Sequence, residues 1–144
     1  MIRRYAPPDV DQIISIWLAA SIEAHDFVKK EYWEAKITDM TYVYIPASET
    51  YVYEEDGIIK GFVSLHGDML AALFVSPSEQ SKGIGQRLVA KSKQVRRNLR
   101  LTVYKANEKS VAFYKKCGFK IVKEQIDEHT GHPEFVMGFV PSTT

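Results

Sequence analysis

Apolar residues recur along this chain with two different periods, and the places where the period changes divide it into elements. After a short extended start at Ile2 to Tyr5, the triplet Pro7-Pro8-Asp9 reads as a helix entry. Val10, Ile13, Ile14, Trp17, Leu18 and Ile22 follow at intervals of three and four, which lays them on one face of an amphipathic helix. Asp26 is placed to cap a second helical stretch running toward Met40, with Tyr32, Trp33, Ile37 and Met40 as its apolar positions and Pro46 beyond its end. From Thr50 the period becomes two. Tyr51 to Tyr53 and Ile58 to Leu65 read as strands around Glu55-Asp56-Gly57, an Asp-Gly hairpin signal. A break at Gly67-Asp68 precedes Met69 to Val75, whose almost unbroken apolar run predicts a strand buried on both faces and ended by Pro77.

Helical spacing returns with Ile84, Leu88, Val89 and Val95, and alternation with Leu99, Leu101 and Val103. A strand, a helix and a strand in that order place the two strands parallel and near each other. Asn107 is positioned to cap a short helix from Glu108 to Lys116, which Gly118 ends in the left-handed conformation. Phe119 to Ile126 and Phe135 to Val140 predict a last hairpin across the polar stretch Asp127 to Pro133. The predicted fold is mixed α/β, antiparallel at first with a parallel crossover in the middle.

Composition narrows this further. A chain of 144 residues, 45% hydrophobic and 26% charged, supports one sizeable core, so residues 1–144 are expected to form a single domain. The formal net charge of +1 supplies no broad basic field, and no nucleic-acid partner is expected. The apolar stretch Ile13 to Ile22 is too short to span a bilayer, so no membrane partner is expected either. The single cysteine, Cys117, excludes an internal disulfide and cannot alone build a thiolate metal site. A cytoplasmic protein without a metal is the expectation.

The candidate chemistry lies in Gln80-Ser81-Lys82-Gly83-Ile84-Gly85, between the apolar strand and the next helix. A segment that leaves a strand, turns on glycines and opens a helix leaves several N–H groups unpaired and pointing one way, which suits a phosphate. The Lys-Ser/Thr pair of a nucleotide P-loop is missing, and Leu88 stands where a dinucleotide fingerprint needs its third glycine. A tight turn without a ligand is the remaining plain reading.

The string Gln80-x-x-Gly83-x-Gly85, preceded by Leu70 to Val75 with Pro77 two residues on, resembles the acyl-CoA loop of the GNAT superfamily of N-acetyltransferases. Asn107, then Ala112-Phe113-Tyr114, then Gly118-Phe119 resemble that family's second signature, and the resemblance covers residues 50 to 125. It implies a mixed, mostly antiparallel sheet whose central parallel strands splay at the acyl-CoA site, with about four helices. It also implies that acetyl-CoA is the co-substrate and that a primary amine, of a small molecule or of a protein or peptide, attacks it directly in a ternary complex. An acyl-CoA-binding sensor or interaction module is the alternative from another class.

Under that resemblance the N–H groups of Lys82, Gly83, Ile84, Gly85 and Gln86 surround the pyrophosphate beside Gln80, with added charge from Lys82 and Arg87. A side chain at either glycine would hold the anion away. The backbone of Phe74 and Val75 pairs with the pantetheine arm like an added strand. Asn107 serves as a contact for coenzyme or water as well as a cap. Tyr114 is the implied acid, with packing and a static hydrogen bond as its simpler role. Two proton problems make such groups necessary. Freeing the lone pair of a lysine-like ammonium at pH 7 costs roughly 4 to 5 kcal/mol, and the thiolate that leaves must be protonated. A phenol donating to that thiolate is uphill by about 2 kcal/mol, which a local field can offset.

The base is less defined. Many family members carry a glutamate on the strand before the loop, whereas this strand reads Met69-Leu70-Ala71-Ala72-Leu73. His66 with Asp68, His25 with Asp26, and a water chain are the alternatives. Trp33, with Tyr32, Tyr42 and Tyr44, either walls a substrate pocket or fills a core. Glu23, Asp26, Glu31, Glu34, Asp127, Glu128 and Glu134 make the acceptor-side segments acidic, which suits a cationic amine. Phe113 and Phe119 are expected in the core, Cys117 as a small buried hydrophobe, and His129 with His132 at a surface hairpin tip.

Overall fold

The computed structural model describes residues 1–141. Seven strands form one sheet: β1 (Ile2–Arg4), β2 (Glu49–Glu55), β3 (Ile58–His66), β4 (Met69–Val75), β5 (Leu99–Tyr104), β6 (Lys120–Ile126) and β7 (Pro133–Phe139). Their order across the sheet is β1-β2-β3-β4-β5-β7-β6. Every neighbouring pair is antiparallel except β4 and β5, as the strand–helix–strand order predicts. The β2–β3 turn holds Asp56 at φ 53 and Gly57 at φ 77, both left-handed, which is the geometry an Asp-Gly hairpin demands.

Alternate residues of the central strands belong to two cores, one on each face of the sheet. Val52, Ile59 and Phe62 pack with Ile13, Ile14 and Trp17 of helix α1 (Val10–Ala24). Tyr51, Tyr53, Val63 and Leu65 pack with residues of two later helices, α5 (Ile84–Val95) and α6 (Glu108–Lys116). Between α1 and β2 lie α2 (Lys30–Glu34), α3 (Ile37–Asp39), a π-helical turn (Met40–Tyr44) and α4 (Ile45–Ala47). Among the described residues no helix is long and apolar enough to cross a membrane.

The second helical stretch differs from its pattern. Asp26 caps nothing, because the chain turns at His25 to Val28 and helix begins only at Lys30. Trp33 explains the break: its ring meets Trp17 edge-on at 6.2 Å, and docking it against α1 reorients the chain before Ile37. The later run then passes Met40 and takes in Pro46, which has no N–H to donate; the wider π turn lies immediately ahead of it.

Strand β4 is the second difference. Leu70 is buried, yet Met69 and Ala71 are exposed and Ala72 to Val75 only half-buried. The cause is its partner. β4 pairs with β3 along its length but with β5 only at Met69 and Arg100, so beyond that point the parallel strands part and leave a groove.

Helix α5 reaches the sheet across Gly61. A Cβ there would lie 3.1 Å from the Phe74 carbonyl oxygen, 3.2 Å from Ile84 Cγ2 and 3.3 Å from Leu88 Cδ1. The substitution Gly61→Val is therefore expected to cost about 1–3 kcal/mol of stability through overpacking. A urea midpoint equal to that of the unsubstituted protein would refute this account of the α5 seat.

Candidate active site

The turn after β4 is built to present N–H groups. Gln80 folds back and donates from Nε2 to the Val75 carbonyl at 3.1 Å, closing the loop onto the strand it leaves. Ser81 at φ 67 and Gly83 at φ 86 are both left-handed, and Gly83 is the N-cap of α5. A Cβ on Gly83 would meet nothing, so the cost of another residue there is backbone strain. Arg87 N–H donates to the Gly83 carbonyl, and the amides of Ile84, Gly85 and Gln86 before it are the free ones of the first turn. With the positive end of the helix dipole, they form an anion site.

The two glycines do different work. Gly85 is helical, and a Cβ on it would lie 3.1 Å from Cζ of Phe113. Phe113, expected in the core, packs half-buried against it and also lines the groove, as the floor against which α5 opens. The basic side chains lie elsewhere. Lys82 pairs with Glu79 at 3.0 Å and Arg87 donates to the Tyr53 hydroxyl at 2.9 Å, so backbone and dipole supply most of the attraction.

The groove between the diverging strands encloses about 2010 Å³. A pocket for one small ligand is commonly about 300–1,000 Å³, so this one has room for two reactants. Phe74 and Val75 line it with backbone that has no β5 partner, an edge able to pair with an extended arm. Tyr114 lines it from α6, more than nine-tenths buried, with no hydrogen bond to its hydroxyl among the described residues. Burial pushes its pKa up, so the phenol is neutral. Cys117, half-buried at the end of α6, is likewise held as the thiol by burial.

At the open ends of β4 and β5, the two halves of the chain meet. Asn107 caps α6, its Oδ1 accepting from Ser110 N–H at 3.3 Å, and its Nδ2 lies 3.4 Å from His25 Nε2. His25 stacks on Trp33 with ring centroids 5.0 Å apart and meets Tyr104 edge-on at 5.2 Å. His25 Nδ1 and Trp33 Nε1 are buried without partners among the described residues. Burial pulls the His25 pKa down, so the ring is neutral near pH 7. The Tyr104 hydroxyl donates to Asp127, which also accepts from His129 N–H at 2.9 Å and Thr130 Oγ1 at 3.2 Å. Burial alone would raise the Asp127 carboxyl, but these hydrogen bonds outweigh it and hold it below its usual range.

Of the residues singled out in the sequence, Phe74, Val75, Gln80, Gly83, Ile84, Gly85, Gln86, Asn107, Tyr114, His25, Trp33 and His66 border one groove. Lys82 and Asp26 do not line it, and Asp26 is exposed. His66 pairs with Met69 at the joined end of β4, whereas His25 sits with Asn107 at the parted end. Tyr44 lines the groove; Tyr42 is 76% exposed and Tyr32 packs on Trp33. Tyr104 escaped the sequence reading. Its signal is an aromatic on the polar side of a strand whose other face is Leu99, Leu101 and Val103.

A family model described as acetyltransferase (GNAT) domain matches residues 46–121. The peptidyl-lysine N-acetyltransferase YiaC of Escherichia coli (strain K12) is 34% identical over 140 residues, 96% of each chain. The apo solution structure of YjaB from Escherichia coli superposes with a TM-score of 0.85 at 28% identity, covering 99% of this chain and 98% of that one. The PaiA N-acetyltransferase of Thermoplasma acidophilum, solved with coenzyme A, has the same fold: TM-score 0.81 at 19% identity, covering 98% of both. A match over more than half the chain, and a relative aligned almost end to end, define the class. The chain belongs to the GNAT superfamily of N-acetyltransferases. It is an enzyme that moves acetyl from acetyl-CoA to an amine, and the sensor alternative is not favoured.

Two outcomes are expected. Gly85→Leu drives Phe113 out of the floor and should raise KM for acetyl-CoA about tenfold or more, the equivalent of at least about 1.4 kcal/mol; an unchanged KM would contradict the packing role. The second concerns pH. With a folded-state pKa below the unfolded 6.5, His25 binds its proton more readily in the unfolded chain. Stability is therefore whole above about pH 6.5 and is lost as pH falls through that value toward the folded one. Between about pH 7.5 and 5.5, His25→Phe should lose less thermal stability than the parent; equal losses would show that burial does not hold the ring neutral.

Proposed function

We propose that this enzyme acetylates the side-chain amine of lysine in a protein or peptide, with Tyr114 as the general acid, and that it works in the cytoplasm. The name peptidyl-lysine N-acetyltransferase, carried by YiaC and by YjaB, which is 31% identical over 134 residues, supports the acceptor class. The groove supports it too, because its walls run from α1 and α4 to the β6–β7 turn and it is partly open to solvent. The position of Tyr114 carries the assignment of the acid: a buried neutral phenol with a free hydroxyl, one residue after the aromatic floor of the donor loop.

The lone pair of the neutral amine forms the C–N bond to the acetyl carbonyl carbon, and the C–S bond breaks as Tyr114 gives its proton to sulfur. The nitrogen loses its extra proton to water, and the phenolate recovers one from the same pool. Burial weakens the phenol as an acid, contrary to the helpful local field that the sequence reading allowed for. The same apolar walls also disfavour the thiolate that receives the proton. Transfer therefore depends on the difference between two desolvated anions, not on the shift of the phenol alone. Neutral His25 is occupied by Asn107, and the β4 face offers no carboxylate, which supports a water relay as base.

Tyr114→Phe keeps the packing and removes the proton, so kcat should fall about a hundredfold or more with KM for acetyl-CoA nearly unchanged. A loss under about threefold, measured as free thiol release with a lysine peptide, would remove Tyr114 from the acid role.

A further inference from the structure

Five carboxylates line the groove: Glu23, Glu79, Glu108, Asp127 and Glu134. Glu79 is paired with Lys82 and Lys60, and Glu108 sits in the first turn of α6, where the helix dipole favours negative charge. The other three make no ion pair among the described residues, although Asp9, Glu49, Glu54, Glu55 and Glu124 all do. All three lie at the acceptor end. Glu23 is in the last turn of α1, whose C-terminal carbonyls add negative potential, and Glu134 stands opposite Tyr104 in the β5–β7 register. Tyr104 in turn donates its hydroxyl to Asp127. Of the groove lysines, Lys115 and Lys116 lie in the last turn of α6, and Lys109 lies in its first turn, two residues after Asn107.

These acids make poor partners for the amine that reacts. A carboxylate close to an ammonium stabilises the charged form, by about 1–3 pKa units for a near neighbour, and each unit adds about 1.36 kcal/mol to the cost of freeing the lone pair. A charge that is bound but does not react carries no such penalty. Beside the acids, His25 and Trp33 are more than nine-tenths buried, line the same groove and keep the ring nitrogens Nδ1 and Nε1 unpartnered. An indole N–H can only donate, and because Trp33 Nε1 is itself covered, a backbone carbonyl of an extended peptide reaches it only if the groove wall shifts.

We infer that Asp127 and Glu134, with Tyr104 orienting Asp127, bind a second positive charge on the acceptor, so that the preferred substrate is a lysine flanked in sequence by another basic residue. This rests on the peptidyl-lysine reading and adds the neighbour's charge to it. Asp127 and Glu134 are specificity-determining residues, not the base. The hydrogen bonds that keep Asp127 ionised keep it fit to hold a cation.

The test uses terminally blocked peptides with one acceptor lysine and Arg, Gln or Glu on either side. For the parent enzyme, kcat/KM should favour the Arg-flanked over the Gln-flanked peptide about tenfold or more, chiefly through KM, with the Glu-flanked one poorest. The preference should shrink as salt is added. In Asp127→Asn combined with Glu134→Gln the Arg-to-Gln ratio should approach one. Glu134→Gln alone, which removes the charge while leaving an amide oxygen to accept from Gln125 Nε2, now 2.7 Å from Glu134 Oε2, should lower the ratio even if the Asp127 change disturbs folding. A ratio near one in the parent, or a ratio that survives in Glu134→Gln and the double variant, overturns the inference. Turnover of peptides without that preference defeats it while leaving the lysine reading intact. If no peptide turns over, the lysine reading fails instead, and 1,4-diaminobutane against butylamine reads the second charge directly; equal kcat/KM for the two would overturn it.

Discussion

Strands β4 and β5 share a single backbone pair, Met69 with Arg100, and then diverge inside the sheet. A sheet interior normally satisfies its N–H and C=O groups by continuing the ladder, and a buried group left unpaired costs about 1–3 kcal/mol. Here the ladder stops and the groove begins, so the inner edge of β4 is open to a ligand able to act as the missing strand. The joined end is held firmly. Arg96 donates to the Gly67 carbonyl at 2.7 Å and pairs with Glu49 at 3.1 Å, and Arg100 N–H donates to the Asp68 carbonyl at 2.9 Å. Fixed at one end and free at the other, the strands form a wedge whose opening is set by the fold.

The catalytic parts are attached to the two sides of that wedge. On the β4 side, α5 is drawn against the sheet by the absence of a side chain at Gly61, which sets its first turn where β4 ends. On the β5 side, α6 is capped by Asn107 and stopped by Gly118 at φ 95, so nine residues place Tyr114 and Phe113 facing the opening. Phe113 touches the position where Gly85 would carry a Cβ, and this contact sets the spacing of the two helices directly. The distance from the cradle to the Tyr114 hydroxyl thus depends on two glycines and one ring.

The donor half was legible because its signals are local. Helix caps, left-handed glycines and the order of strand, loop and helix are written within a few residues of where they act. The splay was not legible from β4, since seven apolar residues read alike whether their outer edge meets a strand or a pantetheine arm; only the resemblance implied it. The break at Lys30 was hidden for a similar reason. The spacing of Tyr32, Trp33, Ile37 and Met40 is helical, and what bends the chain is Trp33 docking on Trp17, a contact sixteen positions away in sequence. Tyr104 was overlooked because alternation draws attention to the buried side of a strand, whereas its chemistry lies on the other.

The β6–β7 turn from Asp127 to His132 is held to the body by Tyr104 and by Phe27 against His132, and no residue of it enters either core. The donor cradle and Tyr114, by contrast, lie within β4 to α6. Substitutions in this turn that spare Asp127 therefore leave both cores and the coenzyme cradle untouched. Duplicated copies of such a gene can diverge in what they modify long before they diverge in how they are built, and a small domain becomes a source of new substrate ranges at little cost to its architecture.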